Sequence, residues 1–381
     1  LASLISPIWS VGACWVLCTD WVFLKFLLIA VEFFASLPFA YLPFPNPSPG
    51  WIAGFYGVLI GAPLFGRRFK SSALAAAVTF GVIGIMGTGA YLSAGVRDCS
   101  GTRVIFFDVG QGDCALAVFE DGREILIDGG PPGNATFAVE PYLKSLGIRK
   151  LDAAVMTHSD ADHLGGIFDM AENVDFGVLY VPYLTRSSDY YSDFLDYADS
   201  TGIRLKLLAA GDSIPGFPEL SVLWPCSSAV RDSGELRCDV NEASIVLMLR
   251  RKEAEILLTG DIGHPVERAL LRAGAELNCD VLKVPHHGSA GSSCDDFVVN
   301  SSPMAAIFSA GSGNRFGHPA PDVVDRYAKL GSEVFRTDSS GAIVLTLRAD
   351  SIYVDRFLGP DTAFSALSEP TAAVDIAPIN D

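Results

Sequence analysis

Basic residues are in short supply: 27 Lys and Arg stand against 44 Asp and Glu, for a net charge of −17. That balance argues against a protein that simply coats nucleic acid, which needs a basic patch. It leaves room for a polyanionic substrate held through divalent cations, since part of the negative charge would then be metal ligands. The eight cysteines (Cys14, Cys18, Cys99, Cys114, Cys226, Cys238, Cys279 and Cys294) contain no Cys-x-x-Cys pair, so a thiolate zinc site is not expected. Cys226 with Cys238, or Cys279 with Cys294, can form disulfides in an oxidising compartment; small buried thiols are the alternative. No charged start precedes the apolar opening, which argues against a cleavable signal peptide. Histidine is scarce, six in all, and where those six fall is the strongest chemical signal in the chain.

Composition changes near residue 96. The stretch before it is strongly apolar, and the stretch after it resembles an ordinary acidic globular domain. A chain that starts at Leu1 and enters directly into apolar sequence reads as a fragment of a longer membrane protein. Trp21 to Leu42 and Ser71 to Gly95 are long enough to span a bilayer, which takes about 20 residues; Leu4 to Cys18 and Trp51 to Gly66 are short for it. Arg67, Arg68 and Lys70 sit between the last two runs, which puts their loop in the cytoplasm and delivers residue 97 onwards to the outer side. The expected division is a partial transmembrane domain over 1–96, a soluble domain over 97–358, and a disordered tail over 359–381, rich in Ala, Pro, Asp and Glu.

From Arg103 the pattern becomes short apolar strands with helices between them. Strands are expected at 104–107, 114–119, 125–127, 153–156, 178–181, 221–224, 245–249, 255–259, 281–284, 305–309, 334–336, 342–348 and 352–356. Helices are expected at 141–146, 190–201, 265–273, 295–300 and 322–330. Such alternation suggests a layered α/β sandwich.

Five of the six histidines fall in Gly-, Pro- or Asp-flanked turns after apolar strands. The densest cluster is Thr157-His158-Ser159-Asp160-Ala161-Asp162-His163-Leu164-Gly165-Gly166. His158 and Asp160 alternate along an extended segment, so both can point to one side. Asp162 and His163 continue round the turn. Asp261 ends another strand and is the natural bridging carboxylate; His286, or else His287, ends a third. Imidazole and carboxylate ligands suit zinc, manganese or iron, and two cations about 3.5–4 Å apart activate water and clamp a phosphoryl group. The rival for the cluster is a polar helix cap with solvated acids, which leaves the other strand-end His and Asp residues unexplained.

The cluster is similar to the metallo-β-lactamase superfamily signature His-x-His-x-Asp-His, with Asp160 in place of the second His. Asp108-Val109-Gly110-Gln111-Gly112-Asp113, Ile127-Asp128-Gly129-Gly130, Asn241-Glu242-Ala243-Ser244, Thr259-Gly260-Asp261, Pro285-His286-His287-Gly288-Ser289 and Asn314-Arg315-Phe316-Gly317-His318-Pro319 occur in the expected order. The series resembles the C-terminal domain of the ComEC family, the DNA-uptake channels of natural competence, and the apolar start resembles the end of that family's membrane domain. The resemblance implies an αββα metallo-β-lactamase-like sandwich preceded by transmembrane α-helices, and two divalent metal ions, Zn or Mn. It implies His158, Asp160, Asp162, His163, Asp261 and His286 as ligands, with Asp162 and His318 in the chemistry. No third-motif His is evident between Val181 and Ile256, so one metal has fewer ligands. The implied activity is phosphodiester cleavage of single-stranded DNA of low sequence specificity, in a multi-pass protein of the bacterial inner membrane that works with other competence proteins. A small phosphodiester substrate, or a non-catalytic gating role, are the alternatives.

Position suggests supporting roles for other residues. Asp128 can hold a ligand imidazole through its far N–H, or cap a turn. Asp108 and Asp113 bracket a glycine turn and can reach the metal edge or only stabilise the turn. Asn241 and Ser244 can bind phosphate or orient ligands, and Ser289 with the amides near Gly288 can bind phosphate oxygens. His287 is the second ring of its pair. His318 can protonate a leaving oxygen or be a plain loop histidine; Arg315 can contact a phosphate or be a solvated charge. His264 reads as a surface position at a helix start.

Overall fold

The computed structural model describes residues 21–31, 33, 50, 52–57, 81, 82, 84, 101–183, 188–225, 239–252, 254–348, 351–359 and 362–365. The chain divides into two compact units, Leu1–Val96 and Arg97–Asp381. In the first unit, residues 21–31 and 52–57 are helical. Among the described residues no helix is long and apolar enough to cross a membrane. The span expected near Leu4 to Cys18, all but residues 81, 82 and 84 of that near Ser71 to Gly95, and the C-terminal ends of the other two lie outside the described residues.

In the second unit the chain runs β1 (Thr102–Phe106), β2 (Ala115–Val118), β3 (Glu124–Ile127), α1 (Ala135–Ser145), β4 (Lys150–Leu151) and β5 (Ala153–Val155). It continues through α2 (Ala161–Met170), β6 (Asp175–Phe176), β7 (Leu179–Val181), α3 (Asp189–Thr201), β8 (Leu205–Leu207) and β9 (Leu220–Trp224). Then come β10 (Val246–Arg251), β11 (Ala254–Leu258), α4 (His264–Arg272), β12 (Val281–Lys283), α5 (Asp295–Ser301) and β13 (Ala305–Phe308). The last elements are α6 (Pro321–Leu330), β14 (Glu333–Arg336), α7 (Thr337–Ser340), β15 (Ile343–Arg348), β16 (Ser351–Arg356) and β17 (Thr362–Ser365).

Two large sheets form, a nine-stranded one in the order β17-β16-β15-β1-β2-β3-β5-β7-β8 and a six-stranded one in the order β14-β13-β12-β11-β10-β9. Strand alternation sorts the apolar side chains. Val104 and Phe106 join Leu247, Ile256, Val281 and Phe335 in a core between the sheets, while Ile105 joins the outer core under the helices. Helices α1, α2 and α3 contribute Val139, Leu143, Leu164, Ile167 and Phe194 to that outer core. Helices α4, α5 and α6 cover the second sheet through Val266, Leu270, Phe297, Val323 and Tyr327. Burial on both faces is why these strands read as apolar runs rather than clean alternation. The architecture is the mixed αββα sandwich.

The sheets position the site through their strand ends. β3, β5 and β7 run parallel, as do β11, β12, β13 and β14. The loops leaving the C-terminal ends of β3, β5, β11, β12 and β13 therefore emerge at one rim of the sandwich.

Several expectations need correcting. The helix expected from Pro141 starts earlier, at Ala135, with Pro141 inside it. The tail expected to be disordered from 359 contains β17, which pairs antiparallel with β16; residues 366–381 lie outside the described residues. Cys279 and Cys294 do not pair: both are free, as is Cys114. Cys226 and Cys238 lie outside the described residues.

Candidate metal centre

Thr157 is the hub of the loop between β5 and α2. Its N–H donates to Asp128 Oδ1 and its hydroxyl to Asp128 Oδ2, both at 2.7 Å. With its one proton committed, the Thr157 oxygen can only accept from His158 Nδ1, 3.2 Å away. Asp128 Oδ2 also lies 2.8 Å from His163 Nδ1. His287 Nδ1 donates to the Ser309 carbonyl at 2.9 Å. Each of the three rings is thus anchored through Nδ1, and Nε2 is its free end. Asp128 and His287 adopt left-handed backbone conformations, φ 58 and φ 54, uncommon for residues other than glycine and concentrated at working sites.

The free ends converge. Nε2 of His158, His163 and His287 and Oδ1 of Asp261 are all buried without a hydrogen-bond partner. His163 Nε2 is 3.3 Å from Asp261 Oδ1 and His287 Nε2 is 3.1 Å from Asp261 Oδ2, so the carboxylate bridges the two rings. Asp162 Oδ2 lies 3.5 Å from the same His287 nitrogen. Asp261 is held from behind, its N–H donating to Ser244 Oγ at 3.1 Å. Asp113, His163, Asp261 and His287 each offer a donor atom within 4.8 Å of the others. Buried polar atoms left unpaired cost free energy unless something completes them. Imidazole and carboxylate donors so arranged fit a divalent cation.

Charge in the pocket favours a cation. Burial is the largest single influence on His163 and on His287 and works against charge, but Asp261 together with Asp128 beside one and Asp113 beside the other overcomes it; both rings are held well above the ordinary histidine range. Burial likewise opposes ionisation of Asp261 and Asp162, yet the neighbouring imidazoles keep both carboxyls well below the usual range. Burial, with the charge on His163 beside it, pushes His158 down to about 3 against the pull of Asp261, Asp162 and Asp113, so it stays neutral.

Of the two adjacent rings, His287 turns inward, where the sequence favours His286. His286 Nε2 is 3.9 Å from Asp261 Oδ2 and its side chain is 31 % exposed, which puts it at the rim. Asp160 is also at the rim, half-exposed, with Oδ2 3.8 Å from His158 Nε2. His318 joins it there, its ring centroid 5.6 Å from that of His286 and 6.4 Å from that of His287. Ser289 caps its own turn, accepting from the Gly291 N–H at 3.3 Å. Asp108 is exposed and accepts from the Gly110 N–H within its own turn. Asn241 opens a short 3-10 turn, and its carbonyl accepts from the Ser244 N–H, setting up the serine that holds Asp261. Arg315 is exposed over the Phe316 ring. His264 starts α4, where its N–H donates to the Gly291 carbonyl.

Lys283 escapes the sequence reading. It is buried at the end of β12, ion-paired with Asp113, donating to the Gly260 carbonyl at 3.1 Å and lying 3.6 Å from Asp261 Oδ1. Asp113 in turn approaches the Nδ1 edges of His287 (3.2 Å) and His163 (4.0 Å), opposite the free Nε2 ends. Lys283 therefore neutralises the acids from behind the cage. One signal was available: a lone charge closing the apolar run Val281-Leu282-Lys283-Val284.

Comparison with known proteins agrees with this geometry. Residues 107–299, just over half of the chain, match the metallo-beta-lactamase superfamily. The chain is 30 % identical over 264 residues to ComE operon protein 3 of Bacillus subtilis (strain 168), covering 63 % of this chain and 32 % of the relative. It is 29 % identical over 258 residues to Competence protein ComA of Neisseria gonorrhoeae, covering 66 % and 33 %. It therefore spans about a third of the length of either. A solved metal-dependent hydrolase of the beta-lactamase superfamily aligns over 62 % of this chain and 95 % of its own, at 16 % identity and a TM-score of 0.41. The sequence match alone places half the chain, and the chain belongs to the metallo-beta-lactamase superfamily as a metal-dependent hydrolase.

Proposed function

We propose that the chain is a metal-dependent phosphodiesterase that cuts single-stranded DNA beside a membrane during uptake for natural transformation. The observation that carries this is the convergence of two anchored imidazoles, His163 and His287, each with Nε2 unpartnered, on the Asp261 carboxylate, with the His158 ring packed against that of His163. Similarity to two competence proteins supports the setting, and with it a membrane location and partners among the uptake machinery.

His158, Asp162, His163, Asp261 and His287 are the ligand set we assign, with Asp160 and His286 at the open side. A bound divalent pair, Zn or Mn, supplies charge neutralisation at the phosphate and activation of an attacking water. The chain's own part is positional. Asp128 and the Ser309 carbonyl lock two ring orientations, and Ser244 holds the backbone N–H of Asp261. His318 is held below the ordinary histidine range by burial and by His286 and His287, so it is neutral at neutral pH. In that form it hydrogen-bonds a phosphate or leaving oxygen at the rim. Among the described residues no base-reading element accompanies the site, which supports cleavage of low sequence specificity.

The test is cleavage of single-stranded and plasmid DNA with Mn²⁺ or Zn²⁺, against chelator and against Asp261→Ala. Loss of cleavage in both controls is expected. Equal cleavage by wild type and Asp261→Ala would sink the reading. The net charge of −17 favours a second substrate class, a small phosphodiester, whose turnover without DNA cleavage would replace the first.

A further inference from the structure

A line of rings leads from solvent to the cage. Phe316 is 54 % exposed and stacks on His318, with centroids 5.7 Å apart and planes at 23°. His318 is next to His286 and His287, and His287 is one wall of the cage. The Arg315 guanidinium lies over the Phe316 ring, its central carbon 4.8 Å from the centroid.

The loop that presents these rings is ordered by one side chain. Asn314 Nδ2 donates to the carbonyls of Gly311 and His318, and Asn314 Oδ1 accepts from the N–H groups of Phe316 and His318. Both amide protons and both lone pairs are used. Gly311 N–H donates to Gln111 Oε1 at 3.3 Å, tying the loop to the turn that carries Asp113. Phe316 is thus held outward at the mouth of the site at little cost in ordering when something binds it.

We propose that Phe316 is a stacking platform for an unpaired base of the substrate, next to the phosphate at the cage, with Arg315 closing over that base or its phosphate. The inference rests on the nucleic-acid reading above and adds what in the substrate is recognised. A planar cation already occupies the ring, and because Arg315 is exposed a base can displace it without breaking a buried contact. An aromatic face accepts any base, so the platform favours single strands over duplex, where bases already stack on each other, and gives no sequence preference. It also supplies DNA affinity that a net charge of −17 cannot supply through phosphate contacts alone.

The experiment measures binding of the full metal-loaded chain to a labelled phosphorothioate single strand, which resists cleavage, by fluorescence anisotropy. A parallel titration uses an oligomer of equal length without bases. Phe316→Ala and Phe316→Leu are expected to weaken binding to the base-bearing strand about tenfold, and Phe316→Trp to preserve it. On the base-free strand the same variants should bind within about twofold of wild type. In cleavage assays Phe316→Leu should raise KM far more than it lowers kcat. If Phe316→Leu binds the base-bearing strand as tightly as wild type while wild type still cleaves DNA, the platform is refuted and the nuclease reading survives. If wild type neither binds nor cleaves the strand, both fall. Phe316 is exposed, so unchanged melting temperatures will show that no variant acts through misfolding.

Discussion

Asp128 does three jobs with two oxygens: it accepts from the Thr157 N–H and hydroxyl and orients the His163 ring. Ligand-orienting carboxylates of this kind are typically worth 10- to 100-fold in metal affinity, so Asp128→Ala is expected to weaken binding by about that factor in a chelator-competition titration. Lys283 makes a different prediction. Removing it leaves Asp113 and Asp261 buried with one cation fewer, which costs about 3 kcal/mol when a buried charge loses its partner. Lys283→Met should therefore lower stability in chelator by about that amount, read by denaturant titration. Saturating metal should recover part of the loss, because the added cation takes over part of the neutralisation. A loss of equal size with and without metal would mean that Lys283 serves packing alone.

At the scale of elements, the site depends on α2 approaching the turn after β3. Gly166 N–H donates to the Gly130 carbonyl at 2.8 Å, and Gly129 N–H to the His163 carbonyl at 2.8 Å. A Cβ at Gly166 would run into the Gly129 carbonyl and the Ala135 side chain. Gly166→Ala is expected to push α2 off the turn, costing about 3 kcal/mol in a denaturant titration and loosening metal binding with it. The entry to β12 carries a pH-dependent term. Burial lifts Asp280 to about 6, although the Glu255 N–H bonded to it pulls the other way. The folded state therefore binds a proton more tightly than the unfolded chain, whose value is about 3.9. This contribution to stability is fully present below about pH 4 and is lost as pH rises through about 6. Asp280→Asn should raise the melting temperature relative to wild type above that range and leave it unchanged below.

Elements also explain what could be read in the sequence and what could not. β1, β2, β10, β11 and β12 are doubly buried, and their apolar runs stand out. β4 and β6 are two residues each and carry no period, and β8 is half-exposed. α2 was hidden because Gly165 and Gly166 suggest a turn, whereas they are the contact at which the helix meets the loop after β3. His158 and Asp261 are legible as polar groups that follow apolar strands, and His163 as the continuation of the His158 cluster into the next element. Which of His286 and His287 faces inward was not, because two successive left-handed residues, φ 48 and φ 54, set the direction of both rings.

For the molecule as a whole, a net charge of −17 gathers partly around a pocket that takes up positive charge. Without metal, His163 and His287 hold protons at neutral pH, their values being raised chiefly by Asp261 against the opposing effect of burial. Ligands must be deprotonated, so metal binding releases those protons and metal affinity should rise with pH. In the metal-free protein the same two rings stabilise the fold below their unfolded value of about 6.5, and that contribution fades as pH rises through their raised folded values. The most direct measurement is the metal content and affinity of the full chain, wild type against Asp261→Ala, by elemental analysis with isothermal titration of Mn²⁺ and Zn²⁺. At least one tightly held divalent ion per chain is expected in wild type, with affinity about 100-fold weaker or lost in the variant. Equal binding by the two proteins, or none by wild type, would contradict a cage built on that carboxylate.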